Sequence, residues 1–571
     1  MKPLFLFSAL NLLIILSLSA QTPAPIHAAH AIHHPVMAQN GMVSSQHPLA
    51  TEVGLDILKQ GGNAVDAGVA VGFALAVVLP RAGNLGGGGF MLIHDAASSK
   101  TSAVDYREVA PLKSTRDMYL GDDGAVDRQR FNQSYLSIGV PGTVAGLLHA
   151  LETGGTMDLS TVLTPAIKLA QEGFPISFDL AAILEKYEER MKACPATAAV
   201  FYPEEGFYQP GDTLIQSDLA WSLKQIQSQG KDGFYKGSLA HKMIKGIRNG
   251  GGVMDMADLS AYKVNVKPPV QGSYRDHVIL SMPPPSSGGV HLIQMLNILE
   301  GYDLKASGPN SAATIHKLVE SMKLAYADRS EHLGDPDFWK VPVEGLISKA
   351  YAESLRSEID LETATPSDDI KPGKPTDYES EETTHFSVID RWGNVVTNTY
   401  TLNFSFGTGL MAEGTGILLN NEMGDFSAKP GTPNAYGLIG GEANAVEAGK
   451  RPLSSMTPTL VLKDGQPYLV TGTPGGSRII TTVLQIILNV IDHDMNIAEA
   501  THQSRIHHQW YPDQLFHERA LNHDTRSLLE SLGHSLKERP AMGSTQSILI
   551  DQGWMQGASD PRRPDGRVKG W

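Results

Sequence analysis

Apolar residues recur at helical spacing through most of the chain before residue 360 and at two-residue spacing after residue 384. Within residues 45–80, Leu49, Val53, Leu55, Ile57 and Leu58 line one helix, which Gly61-Gly62-Asn63 ends. Residues 64–78 are apolar nearly all round, which predicts a second, buried helix. Gly86-Gly-Gly-Gly89 follows, then a short strand over 90–94. A phosphate-binding loop needs strand, glycines, helix in that order. The reversed order here excludes nucleotide binding and leaves close backbone approach as the use of the glycines. Residues 161–355 alternate helices with short loops, among them 219–228, 239–249 and 312–329. Pro283-Pro-Pro-Ser-Ser-Gly-Gly289 opens a helix that runs to about 299, with Ser286 and Ser287 as N-caps. From Thr384 the pattern becomes strand-like. Residues 384–389 form a strand, 390–394 a turn, 464–465 a hairpin turn and 479–491 a helix.

Composition narrows the class. The 571 residues are 41% hydrophobic and 19% charged, which is ordinary globular composition with length for a large core. The net charge of −15, without any basic block, argues against a nucleic-acid partner. Residues 1–20 have a short basic start, an apolar run from Leu4 to Leu18 and small residues at Ser17-Leu-Ser-Ala20. That is the pattern of a secretory signal peptide, and it predicts an exported protein, periplasmic or secreted, without a stable membrane anchor. An N-terminal anchor is the alternative, but the run is short for a span and Asn11 interrupts it. The single cysteine, Cys194, forms no internal disulfide and lacks a CxxC context, so it is read as inert. His27, His30, His33 and His34 read as a loosely ordered terminus rather than a metal site.

The candidate chemistry centres on Thr383 and Thr384. A polar leader, 365–382, stops where a strand begins. Cutting before Thr383 would free an α-amine beside a hydroxyl nucleophile, and that amine can act as its base. With 391–394 as the turn, Thr384 pairs with Thr401, which brings Thr401 and Asn403 near Thr383. Thr473-Pro-Gly-Gly-Ser477 runs from a strand into a helix and presents bare N–H groups suited to an oxyanion. A helix start without a ligand fits the same residues. Lys450-Arg-Pro-Leu-Ser-Ser455 offers hydroxyls near basic groups for a carboxylate, and Glu422 and Asp425 offer carboxylates for an ammonium. Taken singly, each also fits a solvated loop. No Gly-x-Ser-x-Gly elbow and no His-Glu-x-x-His occurs, and His507-His508 is poor geometry for one metal.

Together these blocks resemble the γ-glutamyltransferases, also called glutathione hydrolases, from about residue 35 to the C-terminus. The resemblance rests on Thr383-Thr-His-Phe-Ser387, Leu453-Ser-Ser-Met456, Thr473-Pro-Gly-Gly-Ser-Arg478, Gly86-Gly-Gly-Gly-Phe90, the 283–289 block and Ala541-Met-Gly-Ser-Thr-Gln546. It implies an α+β fold, the four-layer αββα sandwich of N-terminal nucleophile hydrolases. It implies self-cleavage between Glu382 and Thr383 into a large subunit, 21–382, and a small subunit, 383–571, that stay together as a heterodimer. By the same resemblance Thr383 attacks its own preceding peptide bond and later carries the γ-glutamyl group. Thr401 corresponds to the hydroxyl near its amine, and Gly475 and Gly476 to the oxyanion hole. Arg107, helped by Ser454 and Ser455, corresponds to the clamp on the α-carboxylate. Asn403, Glu422 and Asp425 correspond to the residues around the α-ammonium, and Tyr436 to a lid-loop tyrosine. The implied partners are γ-glutamyl donors such as glutathione and amino acid or peptide acceptors, with no cofactor and no metal.

Two rivals share part of the pattern. A glutaryl or cephalosporin acylase of the same superfamily takes an acyl group lacking the ammonium; Asp425, Arg107 and Tyr436 together favour γ-glutamyl. A non-catalytic exported solute-binding protein would carry the signal and the glycine loops but has no use for Thr383 after a leader.

Overall fold

The computed structural model describes residues 31–373, 384–430 and 441–571. Two seven-stranded antiparallel sheets form its centre. One runs, in spatial order, Arg567–Gly570, Gly41–Ser45, Thr384–Asp390, Val395–Thr401, Gly88–Asp95, Lys100–Tyr106 and Asn265–Lys267. The other runs Val36–Ala38, Trp554–Ser559, Gln546–Asp551, Gln466–Thr471, Thr459–Lys463, His277–Ser281 and Val270–Tyr274.

Alternation along each strand sorts side chains into layers. Val43, Phe386, Val388, Val396 and Tyr400 face outward and pack on a large cluster that includes helix Ala64–Val78. Met42, Ile389 and Val395 face inward and meet Leu280, Leu460, Val470 and Ile548 of the second sheet. The outer face of that sheet packs Ile279, Val461 and Leu469 on helices Gly288–Leu299, Ala312–His332 and Arg478–Ile491. The result is the expected four-layer αββα sandwich.

Local sequence explains the elements. Asn63 caps Ala64–Val78: its side chain accepts from the N–H of Val65 and Asp66, while Asp66 accepts from the Asn63 N–H at 2.8 Å. Every residue of that helix is buried, as its all-round apolar sequence requires. Asp464 and Gly465, both at positive φ, make the hairpin turn between Thr459–Lys463 and Gln466–Thr471.

Several expectations need correction. Thr384 pairs with Tyr400, not Thr401, so Thr401 is the next residue beyond the last described pair. Asp390 is the reason. Its N–H donates to Asn394 O at 3.1 Å and its carboxylate accepts from the N–H groups of Trp392, Asn394 and Ala64, so Asp390 stays in the strand opposite Asn394 and the loop shortens to 391–393. The polar leader does not come free at 365. Ser367 and Ile370 are buried, and residues 364–373 are bonded to the rest of the protein. Ser287 sits at the start of helix Gly288–Leu299 but makes no side-chain cap; its hydroxyl donates to Ser454 O at 2.8 Å. His33 is stacked on His502 with ring centroids 4.0 Å apart, whereas His27 and His30 lie outside the described residues.

Candidate active site

One small apolar plug gathers the motif blocks. Phe90, Leu92, Ala103, Met282, Met456 and Ile479 form a buried cluster of their own. Phe90 closes the glycine run, Met282 precedes the Pro283 block, Met456 ends the Ser454-Ser455 block, and Ile479 follows the Gly475-Gly476 turn. Four segments far apart in sequence are thereby pinned by packing around the same point.

Arg107 is completely buried where strand Lys100–Tyr106 ends. Its Nη1 donates to Glu422 and its Nη2 to Asp425 Oδ2 at 2.5 Å. Glu108 Oε2 lies 3.4 Å from Nη1. The carbonyls of Pro452 and Leu453 accept from Nε and Nη2 at 3.2 and 3.1 Å. The guanidinium is therefore held as a planar fork against two carboxylates and against the chain just before Ser454. Burial alone would favour its neutral form, but Glu422, Asp425 and Glu108 outweigh that and hold its pKa above the ordinary value. Burial pushes the Glu108 carboxyl up to about 7 against the pull of Arg107. It pushes Glu422 well above the carboxylate range, with the charges of Glu108 and Asp425 adding to the effect. Glu108 and Glu422 are thus both biased toward their protonated forms beside the guanidinium.

The short helical turn Glu422–Asp425 is positioned by asparagines. Asn420 accepts from the N–H groups of Gly139 and Glu422 and donates to the carbonyls of Gly86 and Gly139. Asn403, at φ +74°, donates from its side chain to Asn421 O at 3.0 Å. Its N–H donates to Thr401 Oγ1 at 2.8 Å, so Thr401 and Asn403 form one unit.

Ser454 and Ser455 are buried in a hydroxyl cluster. Ser454 runs beside Ser286 in a short parallel bridge. Buried Arg329 donates to Ser287 Oγ at 2.7 Å and to Ser455 Oγ at 3.1 Å. Ser454 Oγ accepts from the Met456 N–H at 3.2 Å.

The glycine run serves close approach. A Cβ at Gly87 would lie 1.9 Å from Thr401 O, and one at Gly88 2.6 Å from Glu108 Oε2. Gly475 and Gly476 take φ values of +136° and +59° in the turn entering helix Arg478–Ile491. Side chains there would be strained, and the helix start carries partial positive charge. The Ala541 block backs this turn: Ser544 N–H donates to Thr473 Oγ1 at 2.8 Å.

At its start the inward face of strand Thr384–Asp390 is polar. His385 Nδ1 meets Thr399 Oγ1 at 2.8 Å and Nε2 meets Ser387 Oγ at 3.1 Å. Burial lowers the His385 pKa to about 3, so its ring is neutral near pH 7.

Arg107, Glu422 and Asp425 are in direct contact, and Ser454 and Ser455 follow the carbonyl that Arg107 grips. Glu382, Thr383 and Tyr436 lie outside the described residues. Sequence reasoning missed Glu108, Asn420, Asn421, Arg329 and the packing of His385. The Asp105-Tyr-Arg-Glu108 run and the Asn420-Asn421 pair were visible signals for the first three. A lone arginine within a long helix gave none for Arg329. Cys194 is buried, with Sγ 3.6 Å from Met411 O, in keeping with an inert thiol.

This αββα sandwich, with a threonine-led strand in its central sheet, is the architecture of the N-terminal nucleophile hydrolases. The Gamma-glutamyltranspeptidase family model matches residues 50–570, and the chain belongs to that family. The glutathione hydrolase proenzyme of Escherichia coli (strain K12) is 52% identical over 560 residues, covering 97% of this chain and 96% of that protein. The crystal structure of cephalosporin acylase from Bacillus halodurans superposes with a TM-score of 0.85 at 28% identity, covering 95% of this chain and 97% of that one. That of γ-glutamyltranspeptidase from Helicobacter pylori has a TM-score of 0.57 at 48% identity, covering 57% of this chain and 94% of that one.

Proposed function

We propose that this enzyme cleaves the γ-glutamyl bond of glutathione and related compounds through a γ-glutamyl ester on Thr383, and passes the acyl group to water or to an amino acid or peptide amine. The observation that carries the reading is the buried contact of Arg107 with Glu422 and Asp425. The far end of a γ-glutamyl group is a zwitterion. Its α-carboxylate can take the Arg107 fork while its α-ammonium takes Asp425 and Glu422, so one ion pair is exchanged for two and no lone charge is buried. An acylase substrate lacking the ammonium would leave these carboxylates without a cation.

Maturation and turnover use the same hydroxyl. Thr383 Oγ attacks the Glu382 carbonyl, the C–N bond breaks and frees the Thr383 amine, and water hydrolyses the resulting ester, which releases the Glu382 carboxylate and restores the Thr383 hydroxyl. This divides the chain into 21–382 and 383–571; the word proenzyme in the E. coli relative's name supports such processing. In turnover Thr383 Oγ adds to the γ-carbonyl and its proton passes to the amine. The N–H groups of Gly475 and Gly476 receive the oxyanion, and the leaving amine departs with the proton. Water or an acceptor amine then attacks the ester by the same path in reverse. Thr401 and Asn403 hold the amine side, and Ser454 and Ser455 assist the carboxylate clamp. The signal-like residues 1–20 support export; no described helix is long and apolar enough to cross a membrane.

The test is N-terminal sequencing of the smaller fragment, with a γ-glutamyl anilide assay on the same sample. Wild type yields a fragment starting at Thr383. Thr383→Ala yields one uncut chain without turnover. A cleaved, active alanine variant overturns the assignment.

A further inference from the structure

Two fully buried arginines flank the Ser454-Ser455 pair. Arg107, just after strand Lys100–Tyr106, reaches the chain before Ser454 through the carbonyls of Pro452 and Leu453. Arg329, inside helix Ala312–His332, reaches Ser455 itself. The Arg107 fork also meets Glu422 and Asp425. Arg329 donates instead to two hydroxyls, from Nε to Ser287 Oγ at 2.7 Å and from Nη2 to Ser455 Oγ at 3.1 Å.

A hydroxyl has one proton and two lone pairs, so the donors around it decide where that proton can go. Ser287 Oγ accepts from Arg329 and donates to Ser454 O at 2.8 Å, which commits its proton. In the 3.4 Å contact between Ser287 Oγ and Ser455 Oγ, Ser455 must therefore be the donor. That contact is long and weak, and a better acceptor displaces it. Ser455 Oγ accepts from Arg329, so its proton is available to such an acceptor. Ser454 Oγ accepts from the Met456 N–H at 3.2 Å, which leaves its proton available too. Burial and the Arg329 charge lower His291, in the first turn of helix Gly288–Leu299, to about 3, so that ring stays neutral and adds no charge to the cluster. Two adjacent hydroxyls are thus set as donors, one of them polarised by a cation. Such a pair suits a carboxylate far better than a neutral carboxamide.

We infer that Arg329 is a positioning residue for substrate selection: by donating to Ser455 Oγ it turns that hydroxyl into a charge-assisted donor for the substrate α-carboxylate. The inference rests on the proposed γ-glutamyl reading and deepens it. It divides the work between the two arginines. Arg107 grips the carboxylate directly, while Arg329 acts through Ser455. Arg329→Gln keeps a donor but removes the charge, and should reduce the preference for a carboxylate over a carboxamide about tenfold. Arg329→Lys keeps the charge, but the shorter side chain lacks the planar fork that holds Ser287 and Ser455 together, and should reduce it about threefold.

The experiment measures competitive inhibition of γ-glutamyl anilide turnover by L-glutamate and by its α-carboxamide, on matured enzyme whose small fragment starts at Thr383. The quantity read is the ratio of the two inhibition constants, carboxamide over glutamate. The ratio should fall in Arg329→Gln, and Ser455→Ala should show a fall of its own. Adding Arg329→Gln to Ser455→Ala should change the ratio no further, because the route through Ser455 is already cut. A wild-type ratio in Arg329→Gln, with both inhibitors weakened alike or not at all, overturns the inference. So does a further fall in the double variant, which would mean that Arg329 merely holds the 453–456 segment in place. Where Arg329→Gln does not accumulate folded, Arg329→Lys decides by the same two criteria. A wild-type enzyme that binds both inhibitors equally would strike the γ-glutamyl reading itself, whereas a wild-type preference that survives in the variants strikes the role of Arg329 alone.

Discussion

Charge balance at Arg107 sets how the site should respond to pH. With Glu108 pushed up to about 7 and Glu422 also raised well above the carboxylate range, the substrate-free cluster holds protons at mildly acid pH. An α-ammonium favours the ionised carboxylates, so its binding lowers their pKa and releases a proton. Affinity must then rise with pH up to the substrate-free value and level off above it. KM for a γ-glutamyl anilide should fall between pH 5.5 and about 7.5, and Glu422→Gln, with one ionisable group fewer, should flatten that step. A KM that rises with pH over this range would contradict the linkage. Arg107→Ala removes the fork proposed to hold the substrate carboxylate. Losing one partner of a buried charge pair costs about 3 kcal/mol, roughly a hundredfold in KM. Self-cleavage requires no α-carboxylate clamp, so the precursor band of Arg107→Ala should disappear at a rate close to wild type. Equal loss of both would count against the clamp.

Among elements, the glycine run and the strand pair beside it act as one unit. Asn84 Nδ2 donates to Thr401 O at 2.9 Å, while its Oδ1 accepts from the Gly87 N–H at 2.9 Å. Alanine at Gly87 would push its Cβ into the Thr401 carbonyl, which is backbone and cannot turn aside. Overpacking of this kind costs about 1–3 kcal/mol, and relief requires moving Thr401. Gly87→Ala should therefore lower kcat and slow maturation together, whereas Gly124→Ala, facing open space at φ +70°, should affect stability only. Much of this element level was legible in the sequence. The buried helix at 64–78, the 464–465 hairpin and the use of glycines for close approach all follow from local pattern. The pairing of Thr384 was misjudged by one residue because Asp390 is recruited by the N-terminus of a helix more than 300 positions away in sequence. The leader looked free from 365 because its composition is polar; its binding groups are backbone amides, which composition does not reveal. Arg329 was invisible for a related reason, since its role depends on serines brought to it by two other segments.

At the scale of the whole molecule, the two sheets and their helices bury several histidines as neutral rings. Burial lowers His47 to about 4 and His291, His385, His507 and His534 to about 3. They come from both sheets' layers and from both sides of the proposed cut. In the unfolded chain each titrates near 6.5. Between pH 6.5 and about 4 the unfolded chain therefore binds more protons than the folded one, so stability is present above pH 6.5 and is lost as pH falls. Glu108 and Asp328, both raised to about 7, act in the opposite sense, since they are protonated in the fold at pH values where the unfolded chain has ionised them. Five lowered histidines against these two raised carboxyls and Glu422, which burial also raises, leave acid lability as the net expectation. The unfolding temperature should drop steadily from pH 6.5 to 4.5, with less loss in His385→Asn, whose amide retains a polar partner for Thr399 without a site for the extra proton. Calorimetry of the uncut Thr383→Ala chain separates this effect from maturation. An unfolding temperature that stays level or rises across that window would mean that the carboxyls, not the histidines, govern the acid behaviour of the fold.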